Sequence, residues 1–378
     1  MERSYRHVLL VQSMLALANA AAALFGIVFL LKREGLSFEA LVVFSLLQFA
    51  IATGACVALV RARPRRGMTL MTSGLAFLVS SYLAFLVLHG WPLLLFVAFA
   101  WGLYIPLFFL PFNALVVATT RTEDRAGKIG GLFLAYTAVA IVAPSLGGAI
   151  VESAGYGVLF AFAACLLVAN GALVVRLGIG RQRLALAYDA RTMGTRTATA
   201  LFAEGGFEGL AFGVVSLIAY TFAKEELSFG GLFSLFALAA GVVSVTLGVV
   251  SDRLRNRQLF LIAGAASSAL AAILVVRASS LEQFALGNSL LSLTASIAPL
   301  FLLTIAIERF PGRSGSAIAT REVLLNAGRT TSLAAFFLLT IAGIPLQHAF
   351  LLATVCLAFV ALGAPATPSA QRRIRTAP

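Results

Sequence analysis

Apolar runs of about 20 residues recur from one end of this chain to the other, and a run of that length crosses the hydrocarbon core of a bilayer as one α-helix. Of the 378 residues 60% are hydrophobic and 11% are charged, and the mean hydropathy is +0.98. The first run, "HVLLVQSMLALANAAAALFGIVFLL", is too long for the core of a signal peptide, so we expect it to remain in the protein. The sequence therefore predicts a polytopic, all-α membrane protein.

Charged or turn-like breaks divide the apolar runs into twelve predicted transmembrane helices, called spans 1 to 12 below. The predicted ranges are 8–31, 40–60, 68–88, 93–118, 129–151, 157–175, 200–223, 230–250, 259–276, 284–307, 316–342 and 346–363. With this layout, 22 of the 28 Lys and Arg residues fall with the termini and the even-numbered turns, four fall on the other side, and two lie inside span 11. By the positive-inside rule both termini are predicted to be cytoplasmic, and we expect the inner (plasma) membrane of a bacterium.

The net charge of +13 follows from this asymmetry and predicts contact with the lipid bilayer, without a nucleic-acid partner. Cys56, Cys165 and Cys356 lie within apolar spans and lack the spacing of a metal site, so we interpret them as small apolar side chains. No cofactor or metal is indicated, and we expect a monomer.

The two halves of the chain repeat each other. "KREGLSFEALVVFSLL" at 32–47 returns as "KEELSFGGLFSLFALA" at 224–239, each opening the second span of a six-span unit. The predicted domains are an N-terminal six-helix bundle at 1–176, a cytoplasmic connector at 177–198, a C-terminal six-helix bundle at 199–364 and a cytoplasmic tail at 365–378. Within the connector, "RQRLALAYDA" fits either a short interfacial helix or a disordered linker.

Two motifs resemble those of the major facilitator superfamily. "GVVSDRLRNR", with Gly248, Asp252, Arg253 and Arg257, is similar to the motif between the second and third helices of a half, and the resemblance covers nearly the whole chain. It implies the fold of two pseudo-symmetric six-helix bundles and transport by alternating access. In that family the acidic residue helps to latch the cytoplasmic face, whereas a short basic turn can also serve topology alone. At the matching place in the first half, Ala62 stands where Asp252 stands in the second.

"APSLGGAI" in span 5, with Pro144, Gly147 and Gly148, is similar to a motif associated with antiporters in that superfamily, although the glycine that should precede Pro144 is missing. The resemblance implies gating and slightly favours export. The alternative for these three residues is close helix packing, because small residues let membrane helices approach each other.

Charge is placed inside the membrane in the second half only. Span 11 carries Arg321, Glu322, Asn326 and Arg329, and span 7 carries Glu204 and Glu208. When the halves are aligned, the positions opposite these residues are apolar: Phe133, Leu134, Ala138, Ile141, Leu17 and Ala21. By depth, we expect Glu208 to meet Arg329 and Glu204 to meet Arg321.

Intramembrane charges of this kind mark transport paths or buried ion pairs. Either the carboxylates of Glu208 and Glu322 exchange protons and Arg329 holds a carboxylate or a substrate anion, or the network only joins the two spans. Arg321 can also snorkel toward the interface. Single polar or aromatic residues that could line a central cavity are Asn19, Gln48, Trp101, Tyr104, Asn113, Tyr136 and Asn288.

These observations predict a secondary transporter of a small organic or amphipathic solute, coupled to protons. An alternative is an importer or exchanger of organic anions in which Arg329 binds the substrate. Other classes are a non-transporting sensor and a polytopic membrane enzyme. For an enzyme, the sequence contains no HExxH motif, no GxSxG motif and no cluster of paired aspartates.

Overall fold

The computed structural model describes the backbone of residues 2–119, 125–250 and 257–364, and the side chains of residues 5–117, 135–243 and 258–364. The first six spans are Glu2–Lys32, Phe38–Arg61, Gly67–Val87, a span 4 made of Gly90–Tyr104, Ile105–Phe109 and Leu110–Thr119, then Arg125–Ala154 and Tyr156–Arg176. The second six are Thr195–Gly213 with Val215–Phe222, Glu226–Val250, Arg257–Arg277, Leu281–Ala295 with Ile297–Glu308, Ser314–Ile341, and Leu346–Ala349 with Leu352–Leu362.

Within the described residues, eleven helices are long and apolar enough to cross a membrane, and Leu346–Leu362 is a shorter apolar twelfth. Large apolar side chains such as Val142, Leu270 and Leu286 are exposed on the outer surface of the helices, as expected where helices face lipid. The predicted twelve-span fold class is confirmed.

Prolines explain two of the helix breaks. The ring of Pro299 would clash with the carbonyl group of Ala295, four residues earlier, in a continuous helix. The first helix of span 10 ends at Ala295. In span 4, Pro106 lies within a π-helical turn at Ile105–Phe109, where one extra residue enters the turn, and Pro111 follows two residues after it. Span 7 also breaks, at Val214, directly after Gly213. The breaks in spans 4 and 10 lie near the middle of the span, whereas the break in span 7 lies nearer its end.

The halves meet on the side where span 1 begins, here called the terminal face, through spans 2, 4 and 11. Cys56, Leu110 and Ala319 form a small buried apolar cluster there. One turn deeper, the hydroxyl groups of Thr53 and Thr330 lie 2.9 Å apart across the same junction. These contacts close the space between the halves at the terminal face.

At the opposite face the halves meet through spans 1, 5, 6 and 8. Glu226, the first residue of span 8, accepts hydrogen bonds of 2.8 Å from Lys32 Nζ and from the hydroxyl of Tyr156. Deeper in the membrane, the hydroxyl groups of Ser145 and Ser234 lie 2.7 Å apart. These contacts and those at the terminal face join the two halves on either side of the membrane interior.

The connector follows neither of its two predicted conformations, because its backbone pairs with a loop of the first half. Arg183–Leu184 forms a two-stranded antiparallel sheet with Arg65–Arg66, in the register Arg65 with Leu184 and Arg66 with Arg183. Backbone amides of Gly67 and Met68 also donate to the connector carbonyls of Gln182 and Gly180. The interfacial helix is therefore wrong: "RQRLALAYDA" is largely extended, and a single-turn helix, Ala190–Met193, begins only at its last residue.

The connector then reaches the second half. Arg313 Nη2 donates to Asp189 Oδ2 at 3.1 Å, and the backbone amide of Asp189 donates to the hydroxyl of Thr320 at 2.9 Å. Leu186 packs against the apolar cluster of Cys56, Leu110 and Ala319. The connector thus bridges both halves at the terminal face.

Candidate functional site

Spans 7 and 11 are in backbone contact because glycines line the seam between them. A Cβ atom at Gly209 would lie 2.7 Å from Arg329 Cα and 2.8 Å from its carbonyl oxygen. One at Gly205 would meet the backbone of Leu325, and one at Gly328 would meet the carbonyl of Phe202. Such small-residue seams let membrane helices approach closely. This approach brings the side chain of Glu208 within reach of Arg329.

Glu208 and Arg329 form the predicted ion pair. Arg329 Nη2 lies 2.5 Å and Nε 3.1 Å from the same oxygen, Glu208 Oε2. The third interaction of the guanidinium is a 2.9 Å hydrogen bond from Nη1 to Asn326 Oδ1, and its carbon lies 5.4 Å from the centroid of the Phe49 ring. The side chains are 11% and 15% exposed, so the two charges compensate each other in a largely buried place.

The predicted pairing of Arg321 with Glu204 is wrong, because Arg321 pairs with a different carboxylate. Arg321 Nη1 donates instead to Glu322 Oε1 at 2.8 Å, so the neighbouring residue on the same span takes the guanidinium. Asn113 Nδ2 lies 3.5 Å from the same oxygen. Asn326 Nδ2 donates to the carbonyl of Glu322 at 2.8 Å. Arg321 and Glu322 thus form a second ion pair, toward the terminal face.

Glu204 lies one helical turn from Glu208 and is 2% exposed. Neither of its carboxylate oxygens has a hydrogen-bond partner among the described residues. The five charged residues named so far, Glu204, Glu208, Glu322, Arg321 and Arg329, are called the charged cluster below. It contains three carboxyl groups and two guanidinium groups.

A cavity of about 580 Å³ lies between the halves, next to the charged cluster. Residues of spans 1 to 5 form one side, and residues of spans 7, 8 and 10 form the other. Glu208 is the one charged side chain in its wall within the described residues. Arg329 does not line the cavity, because its guanidinium is held behind Glu208 and Phe49, which do.

Six of the seven predicted polar and aromatic candidates line this cavity: Asn19, Gln48, Trp101, Tyr104, Tyr136 and Asn288. The exception is Asn113, which lies nearer the terminal face, against Glu322, where the packing of spans 4 and 11 excludes it from the cavity. Its prediction as a cavity residue is corrected accordingly.

The polar side chains of the cavity wall form two groups, which differ in whether they make hydrogen bonds to other described residues. Asn19 Nδ2 donates to the hydroxyl of Tyr104 at 2.9 Å, and Trp101 Nε1 donates to Ser81 at 2.8 Å, so these residues are held in place. Gln48, Tyr136 and Asn288 form no hydrogen bond within the part of the chain whose side chains are described. Their polar groups are available to a molecule in the cavity.

Sequence reasoning missed several hydroxyl groups in the wall: Ser45, Thr137, Ser216, Ser292 and Ser296. Helical periodicity could have found two of them, because residues 288, 292 and 296 are four apart and fall on the same face of span 10. Ser45 likewise lies one turn from Gln48. The large aromatic share of the wall, including Phe44, Phe49 and Phe236, has no pattern of its own in the sequence.

The residues of the span 5 motif pack helices together. A Cβ atom at Gly148 would lie 2.6 Å from the carbonyl oxygen of Glu226, and one at Gly147 would meet the carbonyl of Ala21. The carbonyl of Pro144 contacts Gly230, and Pro144 also lines the cavity. Their place between spans 1, 5 and 8 fits the packing alternative; a gating role stays a prediction.

The motif between spans 8 and 9 falls outside the described residues. This applies to Asp252 and Arg253 entirely, and to the side-chain surroundings of Gly248 and Arg257. Their predicted latch role is therefore still a prediction.

Two six-span halves with a cavity between them define a polytopic membrane protein with a transporter-like fold. The human organic anion transporter MFSD10 (TETRAN) is similar, with a TM-score of 0.67 and 15% identity over 96% of this chain and 99% of that chain. A POT family transporter in complex with 5-aminolevulinic acid is similar, with a TM-score of 0.69 and 12% identity over 95% of each chain. No family model and no curated protein matches the sequence. The chain has the fold of the major facilitator superfamily, as its motifs predicted.

Proposed function

We propose that the protein is a secondary transporter that moves a small amphipathic solute through the cavity between its halves, coupled to protons. The observation that carries this proposal is the cavity itself, which has about 580 Å³ of space, takes its walls from both halves and has one carboxylate among the described residues of its wall. A site shared by two six-helix halves changes shape when the halves rock against each other, which is the basis of alternating access.

The chemistry of the wall favours a solute with an apolar body and a cationic or hydrogen-bonding group. Phenylalanine rings would pack against the apolar body, and Gln48, Tyr136 and Asn288 would bind polar groups. Arg329 has its guanidinium engaged by Glu208 and Asn326, so it offers little to an anion in the present arrangement. MFSD10, which has a similar structure, is an organic anion transporter. Transport of an anion is therefore the alternative that the experiment must distinguish.

Glu208 is proposed to couple the solute to protons. Its Oε2 is held by Arg329, and no hydrogen bond to its Oε1 is formed by the side chains that the structure describes. This oxygen belongs to a cavity-lining residue and can receive either a proton or a cationic group of the solute. Proton and solute would then replace each other at one carboxylate. We further propose export, which the motif around Pro144 favours, and cytoplasmic termini, which the basic residues predicted on the side of the termini favour.

Proton flux in proteoliposomes tests this function. The vesicles contain a pH-sensitive dye, and the added solutes are a phenylalkyl trimethylammonium ion and the phenylalkyl sulfonate of the same chain length. The proposal predicts proton movement driven by the ammonium ion in the unaltered protein, and its loss in Glu208→Gln. The control is Glu152→Gln, which changes an exposed carboxylate at the opposite end of span 5.

Three results are informative. Unchanged solute-driven proton flux in well-folded Glu208→Gln would make this carboxylate structural. Flux driven only by the sulfonate, and lost in Arg329→Ala, would favour the anion transporter. Absence of flux of either solute in correctly folded protein would favour a non-transporting role.

A further inference from the structure

We infer that the charged cluster binds one exchangeable proton and that Glu204 is the residue that carries it. With every group ionised, three carboxylates face two guanidinium groups, which leaves one uncompensated negative charge inside the membrane. A buried charge without a partner is so costly that the group usually becomes neutral instead. A single proton removes the imbalance.

The contacts identify which carboxyl group takes the proton. Glu208 is bound by Arg329 and Glu322 by Arg321, and both pairs are fixed by hydrogen bonds. Glu204 is 2% exposed, and neither of its oxygens accepts a hydrogen bond from the described residues. Of the three carboxyl groups, Glu204 therefore gains most from being neutral.

The charged and titratable groups around Glu204 lie on several elements. On its own span Glu204 is faced by Glu208, and on span 11 by Arg321, Glu322 and Arg329. The remaining elements packed against span 7 contribute Cys56 on span 2, Cys356 on span 12, Glu308 and Arg309 at the end of span 10, and Arg191 on the short helix. Cys356 lies beside Gly206 and Cys56 beside Asn326, and neither supplies a positive charge.

The position of Glu204 gives the proton a path to the cavity. Glu204 and Glu208 are four residues apart on one helix, so their side chains are neighbours on the same face. Glu208 is in the cavity wall and Glu204 is behind it. A proton that leaves Glu204 can pass to Glu208 and then into the cavity, and the reverse route reloads Glu204.

This inference rests on the proposed function where it concerns the solute. A cationic group that binds Oε1 of Glu208 supplies the positive charge that the proton on Glu204 supplied before. Binding of the cation then favours release of the proton, and by linkage the proton weakens cation binding to the same degree. Proton and cation are exchanged because both balance the same single negative charge.

Infrared spectroscopy of the full-length protein in nanodiscs tests the proton site without any solute. A protonated carboxyl group has a C=O stretching band that a carboxylate lacks and that shifts in D₂O. We expect one such band from a buried carboxylic acid, lost on raising the pH, present in Glu152→Gln and absent in Glu204→Gln. The band persisting in well-folded Glu204→Gln would overturn the inference. If Glu204→Gln does not fold, Glu204→Asp is used, and an unchanged band position would overturn it equally.

A second measurement separates this inference from the proposed function. The ammonium ion is added to the protein in weakly buffered solution, and released protons are counted with a dye. We expect about one proton released per bound cation in the unaltered protein, and weaker binding without proton release in Glu204→Gln, because glutamine imitates the protonated carboxyl group. Equal release in both would overturn the role of Glu204 and leave the transporter proposal standing. If the unaltered protein binds no cation, the transporter proposal fails, and the infrared band still decides the proton site.

Discussion

At the scale of single residues, the pairing of Glu208 with Arg329 explains how a helix in the membrane can contain an arginine. An arginine at the centre of a membrane helix costs about 2.5–3.5 kcal/mol on insertion scales. Here the guanidinium makes three hydrogen bonds, two to Glu208 and one to Asn326. Loss of one member of a buried pair is more harmful than loss of both, because the remaining charge has no partner.

This asymmetry gives a prediction for stability. We expect Arg329→Met to lower the free energy of unfolding by about 3–5 kcal/mol, the usual effect of breaking a buried pair. The double variant Glu208→Gln with Arg329→Met should recover part of that loss. Thermal melting in detergent measures both, with Arg196→Met, an exposed arginine at the start of span 7, as the matched control. Equal melting of single and double variants would contradict the compensation described here.

At the scale of elements, the seam between spans 7 and 11 depends on glycine. At Gly209 a methyl group would overlap the backbone of Arg329. Gly54 is also within a transmembrane helix, but a Cβ atom there would have nothing within 4 Å. The two positions form a natural comparison of crowded and open helical glycines.

We therefore expect Gly209→Ala to force spans 7 and 11 apart and to destabilise the protein by about 1–3 kcal/mol, as overpacking does. Gly54→Ala should be neutral or slightly stabilising, because alanine favours helix more than glycine does. Thermal melting of the two variants in the same detergent provides the comparison. Two equal melting temperatures would show that the seam tolerates a methyl group.

The connector is held to the second half in part by the carboxylate of Asp189. The backbone amide and the hydroxyl of Thr192 donate to the Asp189 carboxylate, Arg313 pairs with it, and these contacts lower the pKa of Asp189 below its ordinary value. A lowered pKa means that the contact contributes stability above the ordinary aspartate pKa and loses it as the pH falls through the lowered value. The bridge to the second half should therefore weaken only in acid.

Limited proteolysis tests this bridge, because Arg181, Arg183 and Arg191 in the connector are trypsin sites. We expect Asp189→Asn to be cleaved faster than the unaltered protein at neutral pH, since it removes the charge that Arg313 contacts. Glu152→Gln should be cleaved at the unaltered rate. If Asp189→Asn is cleaved no faster than this control, the carboxylate does not hold the connector to span 11.

At the scale of the whole molecule, two kinds of feature could be predicted from the sequence. They are the apolar runs that recur along the chain and the charged residues by which the two halves differ. Twelve spans follow from apolar runs, and the ion pair of Glu208 with Arg329 follows from helical geometry and from charge confined to one half. The contact of Arg321 with its neighbour Glu322 could not be predicted, because it depends on side-chain conformation. The pairing of residues 65–66 with 183–184 is too short to leave a pattern. Ser292 and Ser296 could have been found from their helical spacing to Asn288, which was already a candidate for the cavity.

The whole account depends on a solute that binds between the halves beside Glu208, and one fluorescence titration tests this most directly. The protein has two tryptophans: Trp101 lines the cavity, and Trp91 is 51% exposed at the beginning of span 4. In a Trp91→Phe background, emission therefore reports on the cavity alone.

We expect the phenylalkyl trimethylammonium ion to change Trp101 emission saturably. The sulfonate of equal length should bind about tenfold more weakly, a difference of about 1.4 kcal/mol, and Glu208→Gln should remove that preference. No saturable change with either ion, or a preference for the cation that survives in folded Glu208→Gln, would contradict the placement of the solute beside this carboxylate.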